Sequence, residues 1–274
     1  MPNASTEVEI AELLRVAVDL VHRAGALVRD GREGADAGDL DVASKTTPTD
    51  LVTAVDRRSE RFLVAELHER RPGDAVLGEE GADTTGTTGI RWLVDPIDGT
   101  VNFLYGVPQY AVSVAAERDG VTLVGAVHNP MSGETFMAVR GAGAWLGSRR
   151  LTATAPATSL DGAVVGTGFS YDAGRRGGQG RVLAGVLPRI GNLRRLGSAA
   201  LDLCFVAAGR LDAYYEQGLM PWDMAAGALV AEEAGAVVTG LRGRPPGPVI
   251  TVAATTAVAA ELIRLLEELG ADEV

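Results

Sequence analysis

The sequence predicts an α/β protein whose first part is of the α+β type. Between residues 111 and 151, short apolar segments are separated by Gly, Asn or Asp spacers, which is typical of antiparallel strands. After residue 155, strand-like and helix-like segments alternate, which indicates an α/β layer. The 274 residues are enough for a sizeable core. We therefore expect two subdomains, residues 1–155 and 156–274, with their junction near 153–160.

The first half begins with apolar residues at helical spacing, which Ser5 or Thr6 would cap. Residues 31–43 are rich in Gly and Asp and have no periodicity, so they are predicted to form a mobile loop. The second helix is expected to stop at Pro72-Gly73, and residues 82–89 read as a polar loop. The elements predicted here are helices over about 7–28 and 54–71, and strands over 75–77, 91–94, 111–116, 121–127, 134–140 and 144–146.

The second half repeats a strand and helix alternation, in which an apolar run of about strand length is followed by one with helical spacing. Cys204, the single cysteine, falls in such an apolar helical run and is predicted to be a core residue. The elements predicted here are strands over about 163–166, 192–195, 212–215 and 249–254, and helices over 179–187, 198–208, 223–234 and 257–269.

Composition excludes several classes of function. The net charge of −11 argues against a nucleic-acid backbone or an anionic membrane as the main partner. One cysteine and three histidines without ligand spacing exclude an internal disulfide, zinc chemistry and thiol catalysis. No segment resembles a signal peptide or reaches about 18 uninterrupted apolar residues, so we expect a cytoplasmic protein.

The run from Asp95 to Thr100 places two carboxylates and a hydroxyl in one short turn. Pro96 lacks an N–H group, so the strand over 91–94 is predicted to end there, and Gly99 permits close backbone approach. Hard cations such as Mg²⁺ prefer oxygen ligands with positions left for water and phosphate. An ordinary Asp-rich turn is the alternative, but Glu79 and Asp223 also follow strand-like runs. These three acidic loops are candidates for one cleft.

The chain resembles the inositol monophosphatase family from about Lys45 to about Glu233. The motifs that carry the resemblance are Gly78-Glu79-Glu80, the run from Trp92 to Phe103 (WLVDPIDGTVNF) and Trp222-Asp223-Met224-Ala225-Ala226-Gly227, with support from 45–56, 196–204 and 212–216. The resemblance implies the layered α/β/α/β/α sandwich of inositol monophosphatases and fructose-1,6-bisphosphatases. It also implies hydrolysis of myo-inositol 1-phosphate-type monoesters by in-line attack of a metal-activated water, sensitivity to Li⁺, and a homodimer.

The resemblance further assigns a metal centre with about two to three Mg²⁺ per subunit. Its implied ligands are Glu79, Asp95 and the Ile97 carbonyl oxygen for the first ion, then Asp95, Asp98 and Asp223 for the second, with Glu79 also near a weak third site. Catalysis is implied for Glu79 and for Thr100 paired with Asp56, which would align the attacking water. From the residues alone, Asp56 reads as a helix-capping acid.

The substrate side of the site is assigned in the same way. Gly99 and Thr100 would offer N–H groups to phosphate at the start of a short helix. The residues implied to contact substrate are Lys45, Asp98, Gly99, Thr100, Ser198, Ala199 and Glu216. A solvated Lys45 and a surface Glu216 are the open alternatives, and Trp222 is predicted to be a core aromatic that fixes Asp223. Val101 departs from the family pattern, and the loop before Lys45 is long.

Other phosphatases share the metal-binding core of this family, so other substrates are alternatives. Histidinol phosphate is the closest alternative substrate, because its amine would also suit an acidic pocket, and other sugar phosphates follow. The match around Glu216, and the lack of an adenine-reading insertion, favour inositol phosphate, a small phosphorylated polyol. A non-catalytic regulatory member of the family is the alternative from a different class. The complete set of implied ligands argues against loss of catalysis.

Overall fold

The structure is a computed structural model that describes residues 4–34, 41–45 and 51–274. The helices in these ranges are α1 (Ala4–Glu33), α2 (Ala54–Arg70), α3 (Thr100–Tyr105), α4 (Ala173–Val186), α5 (Ala199–Ala207), α6 (Pro221–Glu233) and α7 (Ala259–Glu268). The strands are β1 (Ala43–Ser44), β2 (Leu51–Val52), β3 (Ala75–Gly78), β4 (Asp83–Thr84), β5 (Ile90–Asp98), β6 (Ala111–Arg118), β7 (Val121–Asn129), β8 (Glu134–Val139), β9 (Gly143–Leu146), β10 (Arg149–Arg150), β11 (Val164–Thr167), β12 (Asn192–Arg194), β13 (Ala213–Glu216), β14 (Val237–Thr239) and β15 (Thr251–Ala254). None of these helices is both long and apolar enough to cross a membrane.

Two large sheets form the frame of the molecule. The first has eight strands in the order β10-β9-β8-β7-β6-β5-β3-β4, and all of its pairs are antiparallel except β3 with β5. The second has five strands in the order β12-β11-β13-β15-β14, with β11 parallel to both of its neighbours. Because β3 and β5 run parallel, their carboxyl ends bring Glu79 and Asp95 to the same edge.

The sheets and helices stack in five layers. Alternate residues of β5 face opposite sides: Trp92 and Val94 pack in the core under α1 and α2, whereas Leu93 packs in the core with α5 and α6. Helices α5 and α6 also pack on one face of the second sheet, around Tyr214, and α4 and α7 cover its other face. The predicted α/β/α/β/α sandwich is therefore confirmed.

The close approach of α6 to the first sheet depends on a glycine. A Cβ atom at Gly125 of β7 would lie 2.7 Å from the Cα atom of Ala226. Any larger residue would force the helix away from the sheet. Since α6 carries Asp223 at its start, this contact sets the distance between Asp223 and the acids of β5.

Several predicted boundaries were wrong. Strand β5 continues through Pro96 to Asp98, because the register with β6 shifts between Asp95 and Asp98 and no ladder bond is needed from Pro96. Ser5 and Thr6 lie inside α1, which extends to Glu33 and includes part of the predicted loop over 31–43, whereas residues 35–40 lie outside the described residues. Helix α4 begins at Ala173 because Asp172 caps it.

Two further predictions concern Cys204 and the division into subdomains. Cys204 is buried, as predicted for a core residue. The first sheet falls within residues 1–155 and the second within 156–274, while α5 and α6 lie between the sheets. The division into two subdomains at that boundary stays a prediction.

Candidate active site

A cavity of about 530 Å³ collects predicted site residues from both halves of the chain. It lies where β3 and β5 end and where α3 and α6 begin. The predicted residues that line it are Lys45, Glu79, Asp95, Ile97, Asp98, Gly99, Thr100, Ala199, Glu216 and Asp223. Trp222, which was expected in the core, lines the cavity instead, because the first turn of α6 opens towards it.

The acids in this cavity repel one another. Asp95 is 1% exposed, and burial followed by the charges of Glu79, Asp98 and Asp223 raises its pKa well above the usual value. Burial and the charges of Glu79 and Asp98 likewise raise the pKa of Asp223 well above its usual value. Burial raises the pKa of Asp98 to about 6. Positive charge placed among these carboxylates would relieve the repulsion.

The donor set fits hard cations. Every predicted ligand is an oxygen, and Oε2 of Glu79 is buried without a hydrogen-bond partner among the described residues. Over the same residues, no group of three or more acidic, His or Cys side chains is already arranged to hold a metal ion. Protein donors already occupy one oxygen of two of these acids, since Asp98 Oδ2 accepts from Ser198 Oγ at 2.6 Å and Asp223 Oδ2 accepts from the Met220 N–H at 2.7 Å.

Lys45 is part of the site. Its Nζ lies 2.8 Å from Glu79 Oε1 and 2.5 Å from Glu80 Oε1, and its side chain is 19% exposed. Burial lowers the pKa of Lys45, but the charges and hydrogen bonds of the two glutamates outweigh burial and raise it above its usual value. The alternative of a solvated lysine is therefore wrong. Residues 46–50 of the quoted segment 45–56 lie outside the described residues.

Asp56 has two sets of contacts, one for each carboxylate oxygen. Oδ2 accepts from the Thr53 N–H at 2.9 Å and from the Thr53 hydroxyl, which is the capping box of α2. Oδ1 accepts from the Thr100 hydroxyl at 2.9 Å. Asp56 is fully buried, and burial raises its pKa despite these hydrogen bonds. The capping role and the pairing with Thr100 therefore coexist.

Gly99 connects the acidic turn to α3. Its φ of +97° is left-handed, and a Cβ atom there would lie 3.0 Å from the Gly197 carbonyl oxygen. Thr100 is the first residue of α3, as the sequence predicted for a short helix at this point. Its hydroxyl also lies 3.1 Å from the Ile97 carbonyl oxygen. Gly99 thus allows the turn to approach the Gly197 segment of the other half.

Glu216 ends β13 and faces the cavity, so the surface alternative is wrong. Its Oε2 accepts from the Tyr214 hydroxyl at 2.6 Å. Burial raises the pKa of Glu216 to about 7, while Tyr214 and Arg195 oppose the rise. The carboxylate occupies the space next to Gly168, where a Cβ atom would collide with it. Any side chain at position 168 would displace Glu216.

Ser198 and Ala199 differ in their exposure to the cavity. Ala199 lines it, whereas Ser198 is 2% exposed and donates its hydroxyl to Asp98. The N–H of Ala200 donates to the same oxygen of Asp98 at 2.7 Å. In this arrangement the start of α5 fixes Asp98, and the contact of Ser198 with substrate stays a prediction.

Glu60 is a site residue that the sequence analysis missed. It accepts from the Glu80 N–H at 2.7 Å and from the Ala82 N–H at 3.1 Å, so it holds the turn that carries Glu79. A Cβ atom at Gly78 would collide with its carboxylate. Its position offers a signal, because Glu60 lies one helical turn after Asp56 on the buried face of α2.

Comparison with known proteins identifies the class. The model of the inositol monophosphatase family matches residues 9–271, and the chain belongs to that family. It is similar to the inositol-1-monophosphatase SuhB of Mycobacterium tuberculosis, with 47% identity over 94% of each chain. It is also 39% identical to the Nus factor SuhB of Escherichia coli K12, over 84% of this chain and 86% of that protein.

Solved structures agree with the observed layers. The extragenic suppressor protein SuhB of Bartonella henselae superposes with a TM-score of 0.85 at 34% identity, covering 96% of this chain and 98% of that one.

Proposed function

We propose that this protein is a Mg²⁺-dependent phosphatase that hydrolyses myo-inositol 1-phosphate-type monoesters to inositol and phosphate. The observation that carries the proposal is the group of four mutually repelling carboxylates beside the Thr100–Asp56 pair in one cavity. Membership of the inositol monophosphatase family supports phosphatase activity. The name of the 47% identical relative supports the choice of substrate.

The residues that would hold two to three Mg²⁺ are Glu79, Asp95, Asp98, Asp223 and the carbonyl oxygen of Ile97. Bound ions supply positive charge to the phosphate oxygens and the leaving oxygen, and they lower the pKa of water. Lys45 adds a further positive charge at Glu79. Binding of the phosphate next to this charge would place the phosphorus atom between the acids and Thr100.

Thr100 and Asp56 would together accept the proton that the attacking water loses. Thr100 lines the cavity, whereas Asp56 is fully buried behind it and does not. Since the Thr100 hydroxyl donates to Asp56, its lone pairs are available to accept a hydrogen bond from water. Water would thus pass a proton to Thr100 as Thr100 passes its own to Asp56. The raised pKa of Asp56 makes it a better acceptor.

Glu216 would recognise the hydroxyls of the alcohol. Replacing Glu216 by Gln should therefore lower kcat/KM for inositol 1-phosphate about ten- to a hundredfold, since hydrogen bonds to a charged group contribute about 1.5–3 kcal/mol. Hydrolysis of 4-nitrophenyl phosphate, which has no hydroxyls for Glu216, should change much less. Steady-state kinetics of the variant on both substrates measures the difference.

Equal losses on the two substrates would contradict this assignment and place Glu216 among the groups that hold the metal or the fold. Asp223 offers the matched comparison, because it is a predicted metal ligand that lines the cavity and was not assigned to substrate contact. Replacing Asp223 by Asn should slow both substrates alike.

A panel of phosphate monoesters tests the proposed activity itself. With Mg²⁺ present, kcat/KM should be highest for inositol 1-phosphate. A higher kcat/KM for histidinol phosphate or for a sugar phosphate would identify that compound as the preferred substrate, and the protein would still be a phosphatase. Absence of turnover on every monoester would favour a regulatory protein, the second candidate, which the Nus factor name of the Escherichia coli relative supports.

The proposal includes four further expectations, and the family resemblance is the source of two of them, inhibition by Li⁺ and a homodimer. We expect Li⁺ to inhibit, because a small monovalent ion can occupy a Mg²⁺ position without its charge. A homodimer, a cytoplasmic location and no nucleic acid as main ligand complete the proposal. The net charge of −11 supports the last of these.

A further inference from the structure

Asn102 joins the two halves of the chain next to the cavity. It lies in α3, two residues after Thr100, and its Nδ2 atom donates to the Leu196 carbonyl oxygen at 2.7 Å and to the Gln109 carbonyl oxygen at 2.6 Å. Carbonyl oxygens only accept, so the amide nitrogen has to face them, and both of its hydrogens are used. The bond to Leu196 thus connects the helix of Thr100 to the segment between β12 and α5.

The backbone packs closely around this bond. The Nδ2 atom of Asn102 is 2.8 Å from the place that a Cβ atom would take at Gly197. A Cβ atom at Gly99 would lie 3.0 Å from the Gly197 carbonyl oxygen and 3.1 Å from the Gln109 carbonyl oxygen. The two segments that Asn102 bonds therefore also enclose the turn between β5 and α3, and a shift of either segment would move that turn.

The segment that Asn102 bonds continues into the start of α5. There the Ser198 hydroxyl and the Ala200 N–H both donate to Asp98 Oδ2, at 2.6 Å and 2.7 Å. A shift of this segment would carry the two donors with it and turn the Asp98 carboxylate. Asn102 therefore sets where that carboxylate lies relative to Thr100, which begins the helix of Asn102.

We propose that Asn102 is a positioning residue, which holds the Asp98 carboxylate and the Thr100 hydroxyl in the geometry that the reaction needs. Asn102 does not itself line the cavity, so it acts through these two residues. The inference rests on the proposed function, in which Asp98 binds metal and substrate and Thr100 aligns the attacking water. The competing interpretation is a structural link, which would stabilise the contact between the two halves and leave the reaction unchanged.

The variant Asn102→Asp tests the proposal, because it keeps the shape of the side chain and places a carboxylate against two carbonyl oxygens. We expect kcat for inositol 1-phosphate with Mg²⁺ to fall about ten- to a hundredfold, since a displacement of about 1 Å can cost about a hundredfold. KM should change less than about threefold, because no substrate contact is removed. Asn102→Ser, which leaves the carbonyl oxygens to water, should show the same split with a smaller loss, and it serves if Asn102→Asp does not fold.

Asn129→Ser is the matched control. Asn129 Nδ2 donates to the Pro108 carbonyl oxygen at 3.4 Å, so it holds the segment of Gln109 from the side of the first half. Its Oδ1 accepts from the N–H groups of Met131 and Ser132, and a Ser hydroxyl can also accept from them. This variant should keep the wild-type kcat. A fall equal to that of the Asn102 variants would overturn the proposal.

A double-mutant cycle with Ser198→Ala tests the route to Asp98. If Asn102 acts through the start of α5, the loss of kcat from Asn102→Ser should be at least about threefold smaller in the Ser198→Ala background. Additive losses would overturn the proposal, because the two residues would then act independently.

Amide hydrogen exchange, measured without metal or substrate, separates failure of this inference from failure of the proposed function. In Asn102→Ser the Ala200 N–H should exchange about tenfold faster or more, while the Ala126 N–H in β7 should keep its rate. If wild type hydrolyses no monoester, faster exchange at Ala200 supports the positioning role alone, and unchanged exchange overturns it. An unchanged kcat with a lower free energy of unfolding in urea would also overturn it and leave the structural link.

Discussion

Replacing Asp95 by Asn should reduce kcat about a thousandfold or more at saturating Mg²⁺. Asp95 is the carboxylate proposed to contact two ions, and metal charge contributes several kcal/mol to such reactions, of which about 4 kcal/mol corresponds to a thousandfold. Asn keeps the shape of the side chain and can still accept from the Ile97 N–H, which now donates to Asp95 Oδ1 at 3.0 Å. The loss should therefore come from the charge.

The same variant should fold as well as wild type. Asp95 is surrounded by the like charges of Glu79, Asp98 and Asp223, so its neutralisation removes repulsion. Without added metal, the free energy of unfolding should stay equal or rise, as measured by urea denaturation. Asp119→Asn is a suitable control, because Asp119 is an exposed turn residue at φ +52°, a conformation that Asn tolerates. Turnover above about a tenth of wild type in Asp95→Asn would contradict the bridging role.

Replacing Asp56 by Asn should lower kcat about a hundredfold or more and change KM little. Asp56 does not line the cavity and would act only through Thr100, and general-base groups contribute about 10²- to 10⁴-fold. The amide oxygen of Asn can still accept from Thr53 and cap α2, so the helix should persist. Steady-state kinetics together with circular dichroism measures both effects.

Thr100→Val tests whether the two residues act as one unit. It should cost about as much as Asp56→Asn, and the double variant should be little worse than either single variant, because both steps of one proton path are then already lost. Wild-type kcat in Asp56→Asn would reduce Asp56 to its capping role. Additive losses would mean that the two residues act separately.

The acids of the cavity were predictable because each lies close to an element end in sequence. The last residues of β5 include Asp95 and Asp98, and the parallel pairing of β3 with β5 brings Glu79 to the same edge. Periodicity alone could not reveal that β5 continues through Pro96, since the shift in register depends on the neighbouring strand β6.

Contacts between distant segments were harder to predict. Glu60 holds the turn of Glu79 across 20 residues, and the only signal in the sequence is its position one helical turn after Asp56. Ser198 matched a substrate-binding motif, yet its hydroxyl bonds to Asp98, a residue 100 positions away.

Phosphate release from inositol 1-phosphate, measured in excess chelator and then after addition of Mg²⁺, is the most direct test of the proposed metal-dependent hydrolysis. We predict no turnover above background in chelator and full recovery with Mg²⁺, because the carboxylates of the cavity repel the substrate until cations join them. Turnover in chelator equal to that with Mg²⁺ would contradict the proposed role of the acidic cluster.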